Sequence, residues 1–525
     1  MHLIARLRRR LRLQHGFTTV TLMGVMSIGA LLVAGGFAAV NPDIGLSRKD
    51  QDYKQAYGAA EAGVQWYLAS LARDNAYYTK CTTVSNPTPT EAAPVNNKWN
   101  GSGSDPRVWR NLIGQAGAQY TVELLPAPGY SQCVVNDQYS MVDPTGNMRL
   151  RVSGRSRSET RSIIVTLRRR NFIDFIYFTH FETLDPLAYP TSQSQASAAN
   201  NCAKFRAQRG SCTEIQFATD DTVKGPFHTN DSALICGSPT FGRFAQDAIE
   251  LNGNSPGYVK ASSCTLNPDF DGTVVFPSGQ MEMPPSNLTL QGLAQSGYLF
   301  QGKTQIVING TSMQVKVKNG NWQTKALPTN GVIYVKNESS GGGCNVGYAR
   351  NQTYNNPSAC GDAWVKGNYS GNLTIAADND VIVNGNLTRN TDDMLLGLIA
   401  NNFVRVYHPI GWDYNDDDDD DDDECYNATG SLEDPRIDAA MLALNHSFIV
   451  DNWYCGEKLG DLEVNGAIAQ RFRGPVGTSG SGGTGYIKDY NYNDRLRFRE
   501  PPFFLDPVQS AWRVARQNEQ VPATR

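Results

Sequence analysis

The sequence has little charge, and it lacks short motifs that mark common metal sites and enzymes. Charged residues make up 19% of its 525 residues, against roughly a quarter in an average soluble domain. The formal net charge is only −4, and neither a C-x-x-C pair nor an H-E-x-x-H motif occurs. These absences disfavour a nucleic-acid-binding protein, a zinc ribbon, thioredoxin chemistry and a zinc protease. Gly, Asn, Ser and Thr replace the missing charge, which favours turn-rich β structure outside the cytoplasm.

Only one long apolar run occurs, and it lies near the N-terminus. The 24 residues from Phe17 to Val40 carry no charge. At about 1.5 Å per residue they form a helix of about 36 Å, enough to span a hydrocarbon core of roughly 30 Å. Five arginines and no acid precede this run within residues 1–16. This asymmetry predicts a single-pass protein with its N-terminus in the cytoplasm and everything from Pro42 onward outside.

The junction between the arginines and the apolar run reads HGFTTVTLMGVMS. Gly16-Phe17-Thr18, followed by Val20 and Leu22, resembles the class III leader of type IV prepilins. The resemblance implies that a prepilin peptidase cuts after Gly16, that Phe17 becomes a methylated N-terminus, and that the apolar helix stays on the mature protein. A plain membrane anchor and a cleaved secretory signal are the alternatives.

Thr21 departs from the prepilin pattern. It occupies the fifth mature position, where that family usually has Glu. In pilins this carboxylate is thought to offset a neighbouring subunit's α-amino group inside the apolar filament core, where an unpaired charge is costly. The large tip pseudopilins of type II secretion also lack it. The missing Glu therefore favours a subunit with no neighbour above it, at the filament tip.

Beyond the apolar run, a helical stripe continues. Apolar residues recur at steps of three and four, at Tyr53, Tyr57, Ala60, Val64, Tyr67 and Leu71. The run QAYGAAEAGVQWYLASLAR resembles the region after the anchor in minor pilins with a PilX-type N-terminus. The stripe also predicts simple packing of this helix against the domain that follows.

A small sheet is predicted after the helix. Residues 79–110 have loop composition, and strands are predicted at 120–125, 147–154 and 160–170. The last two strands form a predicted hairpin, and helix followed by antiparallel strands is the pilin-like order. Eight arginines lie between Arg149 and Arg170. Because no aromatic residues interleave with them, a polar sheet face is favoured and we do not expect nucleic-acid binding.

A repeat is visible further along the chain. IAADNDVIV at 375–383, LIANNFVRV at 398–406 and LALNHSFIV at 442–450 align, with Asp378, Asn401 and Asn445 in the same position. Repeats of about 22 residues, with short strands and an Asn at the bend, suit a parallel β-solenoid, or β-helix. The segment 223–237 is a candidate for an earlier coil. Chance similarity between Asn-rich strands of a sandwich is the alternative.

All ten cysteines follow the apolar run. An even number of cysteines in an exported chain predicts disulfides, and pairing neighbours in sequence is one arrangement. The candidates are Cys81, Cys133, Cys202, Cys212, Cys236, Cys264, Cys344, Cys360, Cys425 and Cys455.

Two segments match sequence motifs of ligand-binding loops. GYLFQGKT at 297–304 fits a phosphate-binding loop, but the following residues alternate like strands, whereas that loop needs a helix. Eight consecutive aspartates at 416–423 match the acidic positions of a calcium-binding loop. The sixth position of such a loop is normally Gly, but here it is Asp418. Its ligands would be Asp413, Asn415, Asp417, Asp419, Asp421 and Glu424. A solvated acidic insertion and a contact for a basic partner are the alternatives, and we expect no other cofactor.

The enzyme hypothesis has little support. A cluster of Asp378, Asp380, Asp392 and Asp393 would suit a solenoid carbohydrate enzyme, but bends and ladders explain these residues better. We therefore expect no catalytic activity.

Together these features predict an α+β protein: a long membrane helix with a small pilin-like sheet, then a large mainly-β domain built as a parallel β-solenoid. The predicted segments are a leader at 1–16, a helix at 17–78, a pilin-like region at 79–170, a solenoid head at 171–480 and a tail at 481–525. We expect the tail to cap the head and to end in a short helix near 507–518.

The resemblance implies a PilX-like minor pilin or pseudopilin that acts in pilus assembly, in adhesion or in both. Its expected partners are other pilins, the prepilin peptidase, the inner membrane, and a host, surface or polysaccharide ligand. Its expected location is the bacterial cytoplasmic membrane and then the cell surface. The alternatives are a β-helical surface adhesin unrelated to pili and a β-helical carbohydrate-active enzyme.

Overall fold

The structure is a computed structural model. It describes residues 19–79, 109–130, 133–134, 137–338, 344, 348–355, 357–413, 424–478, 480, 482–508 and 510–523, except for the side chains of residues 37–45 and 138. Within these residues the protein is α+β: a long N-terminal helix, a small antiparallel sheet and a large mostly-β region, which we call the head.

The described helices are few, and the strands are many. The helices are α1 (Thr19–Arg73), α2 (Ser192–Asn201) and α3 (Leu288–Leu293). Single 3₁₀ turns lie at Tyr77–Thr79, Gln138–Ser140, Phe172–Asp174, Pro186–Ala188, Ser296–Tyr298 and Asp494–Arg497. In chain order the strands are β1 (Arg110–Asn111), β2 (Ala118–Leu125), β3 (Asn147–Ser156), β4 (Glu159–Arg169), β5 (Tyr177–Leu184), β6 (Phe217–Ala218), β7 (Thr222–Lys224), β8 (Phe227–Thr229), β9 (Ala233–Cys236), β10 (Thr240–Phe241), β11 (Ala248–Glu250), β12 (Tyr258–Lys260), β13 (Asp269–Phe270), β14 (Thr273–Val275), β15 (Leu299–Gln301), β16 (Thr304–Gly310), β17 (Ser312–Val317), β18 (Gln323–Ala326), β19 (Val332–Lys336), β20 (Ala363–Tyr369), β21 (Leu373–Ala377), β22 (Val381–Arg389), β23 (Leu396–Ala400), β24 (Val404–Val406), β25 (Ile410–Asp413), β26 (Glu424–Asn427), β27 (Arg436–Ile437), β28 (Ala440–Ala443), β29 (Phe448–Val450), β30 (Lys458–Arg473), β31 (Gly485–Tyr492) and β32 (Trp512–Gln520).

The small sheet has the strand order β1-β2-β3-β4-β32, and its neighbouring strands are antiparallel. The predicted hairpin is confirmed, because β3 pairs with β4 along its whole length. Helix α1 lies very close to β3: a Cβ atom on Gly154 would collide with the backbone oxygen of Ala56. Only glycine permits this approach, so the position of the helix on the sheet is tightly defined.

The head is an insertion into the small sheet. Strands β4 and β32 are neighbours, and Arg169 pairs with Trp512, so the chain leaves the sheet and returns to it at the same place. The expected helix near 507–518 is wrong, because Trp512–Gln520 form β32 of the small sheet. The helix-forming residues of this segment form a strand because the open edge of β4 offers a ladder of unpaired backbone groups, and tertiary pairing overrides local propensity.

The head is built from two long ladders of parallel strands. The first has the spatial order β15-β19-β21-β23-β28-β30-β5-β8-β11-β14. The second runs beside it from β16 through β20 and β22 to β31, β7, β10 and β13. The chain enters the stack of strands in the middle, at β5, and adds strands to one end as far as β14. It then crosses to the other end at β15, and the later strands fill the stack until β30 pairs with β5.

The predicted repeat matches the observed register, apart from one shift. Ile375 pairs with Leu398, and Val404 pairs with Phe448, as the alignment requires. Leu398, however, pairs with Met441 instead of Leu442. The third repeat therefore has one more residue at its bend, between β28 and β29, than the second has between β23 and β24.

Four disulfides join cysteines that are neighbours in sequence within the head. The pairs are Cys202–Cys212, Cys236–Cys264, Cys344–Cys360 and Cys425–Cys455. Cys202–Cys212 and Cys344–Cys360 close loops that leave the ladders, whereas Cys236–Cys264 and Cys425–Cys455 enclose segments that include ladder strands. Closed segments of this size gain roughly 2–4 kcal/mol from such a bond. Cys81, which sequential pairing assigns to Cys133, lies outside the described residues.

Candidate assembly interface

Within the described residues, the first part of α1 is an apolar surface on which no other element packs. The 18 residues Thr19–Gly36 are long and apolar enough to cross a membrane, and none of these residues is buried. The exposed large side chains here are Val20, Leu22, Met23, Val25, Met26, Ile28, Leu31, Leu32 and Val33. A contiguous apolar surface of this size is rare on a soluble monomer and marks contact with a membrane or with another protein. We call residues 19–36 the apolar segment.

Glycines interrupt the apolar segment, and the described residues make no close contact that requires them. Apart from the helix backbone and the adjacent residues, no atom lies within 4 Å of the position that a Cβ atom would take on Gly24, Gly29, Gly35 or Gly36. A glycine in a helix interior costs about 1 kcal/mol relative to alanine. Small residues allow helices to approach closely in apolar surroundings. The segment is therefore suited to pack against other helices.

Thr21 lies in the exposed apolar segment. The cleavage-site residues Gly16 and Phe17 lie outside the described residues.

The second part of α1 is fixed to the small sheet. The predicted stripe is confirmed: Ala60, Val64, Tyr67 and Leu71 are buried, and Tyr53 and Tyr57 are half-buried. Gly63 lets the helix approach β3, because a Cβ there would lie 2.6 Å from Cγ1 of Val152. The apolar segment is thus a continuous helical extension of the packed part of α1.

The last strand also holds the helix. The Tyr53 hydroxyl donates a hydrogen bond to Oε2 of Glu519 at 3.2 Å. The Arg161 guanidinium lies 4.0 Å from the centre of the Tyr53 ring and 3.7 Å from the Glu519 carboxylate. Gln517 donates to the Tyr57 hydroxyl at 3.3 Å. The C-terminal strand therefore fixes α1 at the point where the packed part begins.

A buried polar neck connects the small sheet to the head. It consists of residues 168–174 on one chain segment and 496–513 on the other. Asn171 Nδ2 donates to Glu500 Oε2 and to Asp506 Oδ1, both at 3.0 Å. The fully buried Arg168 lies 3.6 Å from the carboxylates of both Asp174 and Glu500 and donates to the carbonyl of Leu496.

Burial raises the pKa values of two carboxyl groups in the neck. It raises the pKa of Glu500 to about 8, with a further increase from the nearby Asp506, and Arg168 opposes the rise. The pKa of Asp506 is also raised by burial, against the pull of Arg169 and Arg168. The neck is therefore a packed, buried connection and not an exposed linker. In it, the nearby arginines offset the cost of burying the carboxyl groups.

Most of the predicted calcium loop lies outside the described residues, so it stays a prediction. Asp413 and Glu424 face each other across the β25–β26 pair. Asn415, Asp417, Asp419 and Asp421 lie outside the described residues. No group of three His, Cys, Asp or Glu side chains suited to hold a metal occurs in the described part of the chain.

The four aspartates considered for an enzyme site serve separate structural roles. Asp378 accepts hydrogen bonds from the Tyr334 hydroxyl at 2.5 Å and from the backbone N–H of Asn337 at 2.8 Å. Asp380 is paired with Arg405, whereas the side chain of Asp392 is 75% exposed and that of Asp393 accepts from Thr391.

Sequence reasoning missed the buried charge cluster around Arg405. This side chain is 1% exposed and donates to Asp380 at 3.0 Å, to Asp451 at 2.9 and 3.0 Å, and to Gln352 at 2.5 Å. The only local signal was an arginine between two valines in the strand Val404–Val406. The cluster ties two coils to the loop that carries Gln352.

Two segments match enzyme motifs in sequence, but the secondary structure around them differs from what each motif requires. The phosphate-loop match lies between β15 and β16, and β16 continues into a hairpin, so no helix follows it. Gly253-Asn254-Ser255-Pro256-Gly257 fits G-x-S-x-G, whose serine needs a strand before it and a helix after it. Here the motif joins strands β11 and β12.

The fold and the exposed segment define a class: a large β head carried by a small helix-and-sheet unit with a projecting apolar helix. No family profile and no curated protein matches this sequence. Among solved structures, the competence-associated pilin ComZ from Thermus thermophilus is similar to it over 89% of this chain and 97% of that chain. The identity is 12% and the TM-score is 0.26. This TM-score is too low to establish a shared fold, so the proposals below depend on the contacts of this chain.

Proposed function

We propose that this protein is a minor pilin-like subunit that joins a filament through its apolar segment. The observation that carries the proposal is the division of α1, whose first part is wholly exposed and apolar and whose second part is packed on an antiparallel sheet. Such a subunit is held first in the cytoplasmic membrane and then among the helices of its neighbours. Both surroundings bury the apolar segment, so the same surface serves before and after assembly.

The head would be a parallel β-solenoid displayed outside the filament. The two parallel ladders and the register of the 375–383 and 398–406 repeats support this shape. The four disulfides fit an oxidising location outside the cytoplasm. With the head outside, the N-terminal arginines would lie on the cytoplasmic side, which agrees with their charge.

A position at the tip is supported by two features. Thr21 lacks the carboxylate that a subunit with a neighbour above it would use. The head occupies the chain between Arg169 and Trp512 of the small sheet, and such a large insertion would crowd the side of a filament. We propose that the head starts assembly, contacts surfaces, or does both, and that the protein is not an enzyme.

Mature N-terminal sequencing tests the pilin-like role. The full chain is expressed with a prepilin peptidase, and we expect Phe17, methylated, as the first residue. Gly16→Leu should block cleavage, whereas His15→Ala, the matched control one residue away, should not. An uncut Met1 or a start near Asn41 would contradict the proposal and favour a surface adhesin unrelated to pili.

The tip position needs a separate test. Gold-labelled antibody against the head should mark one end of each filament. Labelling along the shaft would contradict the tip position and leave the pilin-like role intact.

A further inference from the structure

One end of the head is basic. Between Met283 and Gly361 the sequence has five lysines and one arginine against a single acid, Glu338. This segment supplies β15 to β19, which form one end of the parallel ladders. Glu338 lies 2.5 Å from Lys318, so the only acid of the segment is already paired. The remaining positive charge at this end is therefore available to a ligand.

The unpaired lysines surround one tryptophan on the outer face of the end coil. Across the strands, Lys316 pairs with Gln305, and Gln305 pairs with Trp364. These residues alternate with the buried Ile306 and Val365, so they point away from the core. Lys366 lies two residues beyond Trp364 on the same face.

Lys303 completes this group, since its Nζ lies 4.5 Å from the centre of the Trp364 ring. Within the described residues, Lys303, Lys316 and Lys366 form no ion pair. Partial burial lowers the pKa of Lys303. Burial removes part of the water around this ammonium group. Binding of an anion beside it would therefore be favoured.

Trp364 belongs to a half-buried aromatic platform. Its ring centre lies 5.7 Å from that of Tyr354 and 5.7 Å from that of Tyr407, and the two tyrosine rings are 4.5 Å apart. The Tyr354 hydroxyl accepts a hydrogen bond from the backbone N–H of His408 at 2.9 Å. The Cys344–Cys360 disulfide fastens the loop that carries Tyr354. The platform is therefore held in place before any ligand arrives.

We propose that this face, defined by Lys303, Gln305, Lys316, Tyr354, Trp364, Lys366 and Tyr407, binds an anionic polysaccharide. The apolar face of a sugar ring would stack on the exposed parts of Trp364 and Tyr407, while carboxylate or sulfate groups meet the lysines and hydroxyls meet Gln305. The proposal deepens the surface-contact role proposed above and rests on it, but it does not depend on cleavage after Gly16.

A polysaccharide fits this face better than a nucleic acid does. Three lysines and no arginine offer few phosphate contacts, and affinity for nucleic acid depends strongly on the number of such contacts. The three aromatic rings pack against one another in a compact cluster. They are not spread along a groove as separate platforms for successive bases.

The test uses the full chain in detergent micelles and measures binding to alginate, which carries carboxylates, and to dextran sulfate. Neutral dextran and a single-stranded oligonucleotide are the comparison probes. We expect binding to at least one anionic polysaccharide, weakened by raising the salt from about 0.05 to about 0.5 M. Which polymer binds distinguishes carboxylate from sulfate recognition.

The variants locate the site. Trp364→Ala, and Lys316→Gln combined with Lys366→Gln, should each weaken binding about tenfold or more. Lys260→Gln, an exposed lysine in the part of the head that includes β11 to β14, is the matched control and should change nothing. If Trp364→Ala fails to fold, the double variant with Lys316→Gln and Lys366→Gln still tests the site.

Four results would overturn the proposal. They are no binding to either anionic polymer, equal binding to neutral dextran, tighter binding to the oligonucleotide, and an equal loss in Lys260→Gln. None of these results affects the N-terminal sequencing result, so the two proposals can fail separately.

Discussion

The small sheet unit and the head are built on opposite principles. In the small unit, α1 and strands β1 to β4 follow one another along the chain and pack as neighbours, and one distant strand, β32, completes the sheet. In the two long ladders of the head, most strands pair in parallel with strands that do not follow them directly in the chain, and the stack closes where Ile468 pairs with Tyr177.

This difference shows where the stability of each region comes from. The small unit depends on the packing of one helix against one sheet, with close approaches at Gly63 and Gly154. The head depends on many stacked parallel strands, on buried polar groups between them and on four disulfides. The two regions have separate hydrophobic cores, so each can be perturbed while the other serves as an internal reference.

The largest expected effect is in the head. Arg405→Met removes the partner of two buried carboxylates, Asp380 and Asp451, and we expect a loss of about 3–5 kcal/mol in the free energy of unfolding. Hydrogen exchange of the full chain in detergent should show the loss in the head and not in the small sheet. Lys224→Met breaks a half-exposed pair with Asp489 and, as the control, should cost less than about 1 kcal/mol. Equal losses in the two variants would show that burial of the pair does not matter.

The next effect concerns a loop of the head. Replacing Cys236 and Cys264 together by Ser opens a loop of 28 residues and should cost about 2–4 kcal/mol. Thermal unfolding of the full chain, with and without reductant, measures it. Reductant should have a smaller effect on the variant than on the parent chain, and an unchanged response to reductant would contradict the prediction.

A smaller effect is expected in the small unit. Gly154→Leu places a side chain against the backbone of α1 and should destabilise the helix–sheet contact by about 1–3 kcal/mol. Hydrogen exchange should increase in α1 and β3 before it increases in the head. Gly58→Ala is the control on the same helix, because no atom lies within 4 Å of its Cβ position, and we expect it to be neutral or stabilising. Faster exchange throughout the head would show that the two regions unfold together.

The last effect is a pH dependence at the neck, where the two regions meet. The folded state raises the pKa of Glu500 to about 8, from an ordinary value of 4.5, chiefly through burial. Between these two pH values the folded state holds more protons than the unfolded state, so stability must fall as pH rises. The contribution is fully present below about pH 4.5 and is lost as pH rises through about 8.

This pH effect can be measured as the melting temperature of the full chain between about pH 5 and pH 9. We expect a decrease of about 2–4 °C. Glu500→Gln should flatten the dependence, since the amide keeps the hydrogen-bonding shape without titrating. The same slope in the variant would assign the effect to other groups.

Much of the local structure could be predicted from the sequence because its signals are periodic and short in range. The stripe from Tyr53 to Leu71 identified the packed face of α1, and the alternation around Leu150 and Val152 identified the β3–β4 hairpin. The similarity of 375–383 to 398–406 gave the register of their strand pairs, since stacked coils place like residues in like positions. The exposed apolar segment was also evident, because its length and lack of charge are sufficient signals.

Long-range features could not be predicted in this way. The segment from Trp512 to Gln520 has helix-forming composition, and only the open edge of β4 makes it a strand. Arg405 looked like one polar residue in an apolar strand, because its partners Asp380 and Asp451 come from other coils. The extra residue that shifts Leu398 onto Met441 is hidden in a bend of the third repeat.

The sequence by itself determined the projecting apolar helix, the packed helix face and the repeating strands, because each follows from the spacing of residue types along a short stretch of chain. The tertiary structure alone decided that the head is inserted between β4 and β32, that its stack closes where β30 meets β5, and that Arg405 and Glu500 are buried among charges. These features depend on which distant segments meet. That choice is set by edge strands and buried partners whose positions no local pattern encodes.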